Sequence, residues 1–80
     1  MDKLIVDMDP IQAPKIYKIT NIGVNLLCTC NLPQDSLTFI RDYAQEKNKD
    51  IEVIFMGPQS YTDHFVQQAK QIKFIIASQG

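Results

Sequence analysis

The second half of the chain alternates two kinds of segment: an amphipathic run "PQDSLTFIRDYAQEK", an apolar run "IEVIFMG", another amphipathic run "SYTDHFVQQAKQI" and a closing apolar run "KFIIAS". This succession constrains the fold more than any other feature. A helix that joins two strands of one sheet returns the chain as a right-handed parallel crossover, and two such helices can cover one face of a small sheet. The runs are delimited by local chemistry. Pro33 suits the first turn of a helix, where its missing N–H would have no partner, and Asn31 can cap from outside. Leu37, Ile40, Tyr43, Ala44 and Lys47 then recur with a 3.6-residue period, Asp35 suits the positive helix start, and the helix ends around "NKD". "IEVIFMG" is nearly all apolar, as in a central strand or one covered on both faces, and Gly57-Pro58 stops it. Ser60 and Asp63 form a capping-box-like pair for the second helix, whose Tyr61, Phe65, Ala69 and Ile72 share one side.

The first half is strand-like. "KLIVDMD" reads as a short edge strand closed off by Asp9-Pro10 and Pro14. From Lys15 to Thr29 the apolar residues continue, interrupted by Asn21 and Gly23, which leaves two readings open: one bulged strand, or a hairpin turning at "TNIG". The expected architecture is a single 1–80 domain of the α/β (α+β) class, a two-layer sandwich with two helices on one face of a mixed four- or five-stranded sheet.

Eighty residues hold one modest core and no second domain. With 45% hydrophobic and 21% charged residues the chain falls in the range of ordinary folded proteins. Eight basic against nine acidic residues leave a net charge of -1 without a run of either sign, which argues against nucleic acid as the main partner. The amino-terminal "MDKLIVDMDP" lacks the positive start and long apolar stretch of an export signal, and no run approaches a membrane span, so a cytoplasmic setting without membrane contact is expected.

Cys28 and Cys30, one residue apart, cannot staple distant segments, which fits a reducing compartment. Cys30 falls where a strand gives way to a helix. Exposed N–H groups at a helix start favour a thiolate, so Cys30 is the candidate reactive residue, with Cys28 one step deeper and the better core residue. The opposing reading is that both are small buried apolar groups, as free cysteines commonly are. His64 is the only histidine and has no sequence neighbour to form a catalytic or metal-binding set, so neither a metal nor a cofactor is expected. No glycine-rich phosphate loop and no Ser/His/Asp grouping is present.

"CNLP", with Cys30 and Pro33, together with "GPQSYTD", with Pro58, Ser60 and Asp63, resembles the paired motifs of the TusA/SirA family of small sulfur-carrier proteins. In that family a C-P-x-P motif opens the first helix and a D-P-x-[AS]-x-x-D segment opens the second. The resemblance spans roughly residues 19 to 77. It implies a two-layer sandwich, and it implies that Cys30 carries a persulfide sulfur between donor and acceptor proteins while Pro33 starts the helix behind it. Ser60 and Asp63 would be capping structure. Asn31 stands where the family has its first proline, Leu27 where it has a glycine, and one strand instead of two follows the second helix. "FMGPQ" is also similar to a segment of the lactose/cellobiose-type IIB phosphocarriers, but "CTCNLPQDS" lacks the glycines that would cradle a phosphate. Two functions follow as expectations: a sulfur carrier working through an exposed Cys30, or a non-catalytic protein-protein interaction module with both cysteines buried and a strand edge or helix face as its contact.

Overall fold

The computed structural model describes residues 1–80. Seven elements follow one another: β1 (Asp2–Asp7), β2 (Lys15–Thr20), β3 (Gly23–Thr29), α1 (Pro33–Lys47), β4 (Ile51–Met56), α2 (Gln59–Ala69) and β5 (Ile75–Gln79). The strands form one sheet in the order β3-β2-β1-β4-β5. β1 pairs in parallel with β4, and β4 with β5, while β1 with β2 and β2 with β3 are antiparallel. The two-layer α+β sandwich with a mixed sheet is thus the fold of this chain.

Each half of the topology has a local cause. The two Pro-initiated helices supply the crossovers that make β1, β4 and β5 parallel, whereas the antiparallel part is a hairpin with the two-residue loop Asn21-Ile22. Thr20 holds that loop by donating its hydroxyl to the Gly23 carbonyl at 3.1 Å. Of the two readings open for residues 15–29, the hairpin is the one adopted. A bulge is present as well, because Ile16 pairs with Cys28 and Tyr17 with Leu26, leaving Leu27 without an opposite number.

The expectation of an edge position for "KLIVDMD" is corrected: β1 is the middle strand of five. Its prolines do not restrict it, because Pro10 and Pro14 fall in the loop beyond Asp7 and remove no donor from the ladder. The helix starts also differ from expectation. Leu32, not Asn31, is the residue flanking α1, held extended at φ -122 and ψ 151, as the residue before a proline prefers. Asp35 supplies the polar partner by accepting the Leu32 N–H at 3.1 Å. For α2 the boundary residue is Pro58, so Ser60 lies inside the first turn, exposed, and makes no cap.

One face of the sheet carries the core. Leu4 and Val6 of β1, Ile16 of β2, Val53 and Phe55 of β4, and Ile75 and Ala77 of β5 meet Ile40 and Ala44 of α1 and Val66 and Ala69 of α2. Ser36 and Thr62, also fully buried, sit in the same helix stripes and satisfy their hydroxyls on Pro33 and Pro58 carbonyls one turn back. β4 is central, as its apolar run suggests, but is covered on one side only: alternate residues Ile51, Val53 and Phe55 are buried while Ile54 is half-buried and Met56 exposed.

Candidate functional site

Cys30 follows β3 directly, and its N–H donates to the Pro14 carbonyl at 2.8 Å. The bond pulls the residue under the loop that joins β1 to β2. Only 4% of Cys30 is exposed, and it belongs to the core cluster, while Cys28 is half-buried and packs against that cluster's margin. The order expected for the two thiols, with Cys28 deeper, is therefore reversed.

The electrostatics run the same way. Burial pushes the Cys30 thiol up to about 11 from an ordinary 9.0, helped by the Cys28 thiol beside it and by the Asp35 carboxylate. The expectation of an exposed thiol acidified by a helix start is corrected on both counts. At α1 the positive end already faces the Asp35 carboxylate, which accepts the Leu32 N–H, so a second negative charge at Cys30 would meet repulsion as well as desolvation. A neutral thiol in this setting is a poor nucleophile.

His64 is exposed; its ring meets Phe65 edge-on at 5.4 Å between centroids, and its one side-chain hydrogen-bond partner is Gln68, one helical turn on, at 2.7 Å. Ser60 and Asp63 are exposed on α2, and Pro33 serves as the first residue of α1. Cys30 and Pro33 lie at the start of α1 and Pro58, Ser60 and Asp63 at the start of α2, and no side-chain hydrogen bond joins the two groups. No group of three or more His, Cys, Asp or Glu side chains is placed to hold a metal ion. An open crevice of about 510 Å³ separates the two helices, lined by Leu37, Thr38, Arg41, Gln68, Gln71 and Ile72.

The most unusual surface is the face of the sheet that neither helix covers. Pairing places Leu26 beside Tyr17, Tyr17 beside Ile5, and Ile5 beside Ile54, so an apolar row crosses four of the five strands. Val24 and Leu26 are 56% and 54% exposed, Met56 45% and Ile76 48%. A shallow depression of about 380 Å³, lined by Ile5, Asp7, Tyr17, Val24 and Met56, occupies the middle of this face. Charges flank the row on both sides, two residues away along the strands. Lys3 lies 3.9 Å from Glu52 on one side, and Asp7 pairs in register with Lys15 on the other. A solvated sheet face would alternate into polar residues, whereas this one stays apolar across four strands.

The sequence signal for this face is legible in retrospect. β1, β4 and β5 carry large apolar residues at both parities, Leu4 and Ile5, Phe55 and Ile54, Ile75 and Ile76. Two helices of this length can cover only one of the two faces. The surplus had to remain in the open.

No helix is long and apolar enough to cross a membrane. No family model, curated protein or solved structure matches the chain, so the likeness to the sulfur-carrier motifs rests on Cys30, Pro33, Pro58, Ser60 and Asp63 alone.

Proposed function

We propose that this chain is a non-catalytic interaction module that docks a protein surface on the helix-free face of its sheet. One observation carries the reading: Val24, Leu26, Met56 and Ile76, each close to half exposed, rim a floor of Tyr17, Ile5 and Ile54 on a single face. Burying that strip removes from water apolar area worth about 25 cal/mol per Å², and the flanking charges give orientation rather than affinity. A reducing, cytosolic compartment suits the reading, because free thiols at Cys28 and Cys30 then persist as packing groups.

A photo-crosslinking side chain installed at Leu26, and separately at Arg41 on the helix layer, tests the proposal in the expressing cell. Protein adducts are expected from position 26 and not from position 41. Adducts absent at 26, or equally abundant at both positions, would reject it.

The carrier reading implied by the motif resemblance depends on Cys30 and has its own discriminating measurement. A reductant-labile sulfane adduct on the native protein that disappears in Cys30→Ser would favour it. The burial of that sulfur and its raised pKa speak for the interaction module instead.

A further inference from the structure

We infer that the partner on the helix-free face is a second copy of this chain, laid face to face about a two-fold axis through Ile5. The inference rests on the docking role proposed above and adds the identity of the occupant.

The middle strand supplies the symmetry. β1 has two strands on either side, and its residues on the open face are Lys3, Ile5 and Asp7: positive, apolar, negative. A two-fold axis lying in the interface at right angles to β1 and passing through Ile5 sets Ile5 on its own copy. The same rotation sets Lys3 of each protomer against Asp7 of the other, twice over. The alternative axis, parallel to β1, would set Lys3 against Lys3 and Asp7 against Asp7. Charge therefore selects one operator. Both ends of the paired faces come out neutral, because Glu52 sits by Lys3 and Lys15 by Asp7.

The apolar row obeys the same operator. An axis across the strands keeps their order and reverses their direction, so Tyr17, Leu26 and Ile54 each meet their own copies along the row through Ile5. Sheets stacked in this way sit about 10 Å apart with inner side chains interdigitated, and twist offsets their strands by about 30°. Lys3 and Asp7 are only two residues from the axis, about 7 Å along the strand, so the offset displaces them little.

Size sets the strength. Five strands of about six residues give a face of roughly 500 Å² in projection, and two such faces bury close to 1,000 Å², the lower bound for a specific interface. The dimer is accordingly one that dissociates on dilution. Edge pairing is the weaker alternative, since β3 is interrupted at Leu27 by its bulge and β5 is only five residues long.

Sedimentation velocity of the intact chain across a wide concentration range is the test. The mass is expected to rise from 9.1 kDa toward twice that value. Lys3→Glu and Asp7→Lys should each remain monomeric, because each puts like charges in opposition at both ends. An equimolar mixture of the two variants should dimerise again. In the mixed pair the carboxylate introduced at position 3 meets the ammonium introduced at position 7, and the unchanged Asp7 of one chain meets the unchanged Lys3 of the other. Both positions point to solvent, so folding is retained, and far-UV circular dichroism verifies it. A wild-type chain that stays at 9.1 kDa at the highest concentration reached overturns the inference, whereas the docking role then falls or stands on the Leu26 crosslinks. Dimers in both single variants, or a mixture that fails to recover, overturn the operator and with it the self-pairing.

Discussion

The phenolic hydroxyl of Tyr43 donates a 2.7 Å hydrogen bond to the Asp2 carboxylate, joining residues 41 positions apart and pinning the middle of α1 to the start of the central strand. Lys18 reaches the same carboxylate oxygen from β2 at 3.8 Å, and Lys47 lies over the Tyr43 ring at 5.3 Å. The bond from Tyr43, and after it the nearby lysines, holds the Asp2 carboxyl below its ordinary value of 3.8. This contact is the tightest link between the helix layer and the sheet outside the apolar core.

Replacing Tyr43 by Phe should cost about 1.5 kcal/mol near neutral pH, the loss of a hydrogen bond to a charged acceptor. A carboxylate whose folded pKa is lowered adds stability that is fully present above its unfolded value and disappears as pH falls through the folded one. The difference between wild type and Tyr43→Phe should therefore be constant from about pH 5 to about pH 9 and shrink below the ordinary aspartate range. Urea melts of both proteins across acid pH measure it, and a difference independent of pH would rule the pairing out.

At alkaline pH the sign reverses for two groups. Burial, with the neighbouring Cys28 and Asp35, raises Cys30 from 9.0 to about 11, and burial with the Asp2 bond raises Tyr43 from 10.0 to about 12. Between those limits the unfolded chain has released protons that the folded chain still holds, so stability falls as pH rises from 9 through 11 and beyond. Cys30→Ala should flatten the first part of that decline and Tyr43→Phe the later part. Denaturation midpoints that do not change over this range would contradict both burials.

Native-state alkylation should separate the two thiols. Cys28, half-buried at the sheet margin, is expected to react well before Cys30, which should be modified only as the protein unfolds. Peptide mapping of the alkylated sites gives the order. Fast reaction at Cys30 would place its sulfur outside the core and revive the carrier reading.

Adjacent isoleucines make an internal control for the one-sided sheet. Ile75 is 8% exposed and faces the helices, whereas Ile76 is 48% exposed on the opposite side. Ile75→Ala should cost about 2–3 kcal/mol and Ile76→Ala less than about 1 kcal/mol at concentrations where the chain is monomeric. Equal losses in chemical denaturation would mean that both faces are packed.

Two glycines with positive φ should respond unequally to alanine. Gly57, at φ +146, would bring a Cβ to 2.3 Å from the Met8 carbonyl oxygen, while Gly23, at φ +139, has nothing within 4 Å of that position. Gly23→Ala carries backbone strain alone, about 1–2 kcal/mol, and Gly57→Ala adds an overpacking cost of about 1–3 kcal/mol. Thermal melts rank them directly, and a Gly57→Ala as stable as Gly23→Ala would refute the close approach of the two loops.

Elements were easier to read from the sequence than positions. Pro33 and the Ser60–Asp63 pair place the two helix starts to within about two residues, and the apolar runs of β4 and β5 stand out by composition, because these are signals carried within a few neighbouring residues. The place of β1 in the sheet could not be read in the same way. "KLIVDMD" is equally compatible with an edge and a centre, and only its two ladders, to Lys15–Lys18 and to Ile51–Met56, decide between them. The cysteines failed for a related reason. A helix start lowers a thiol's pKa only if the sulfur remains near water, and whether it does depends on the Pro14 carbonyl and the loop above it.

Short-range signals along the chain were enough to specify the alternation of helices and strands after Thr29 and the two-layer class, but left residues 15–29 open between one bulged strand and a hairpin, since periodicity and helix-breaking residues act over a few neighbouring positions. Three outcomes came only with the folded arrangement: which apolar parity met the helices and which was left in the open, that Cys30 lies deeper than Cys28, and that Tyr43 finds Asp2. They depend on contacts between segments distant in the chain, where burial and hydrogen-bond satisfaction outweigh any local preference.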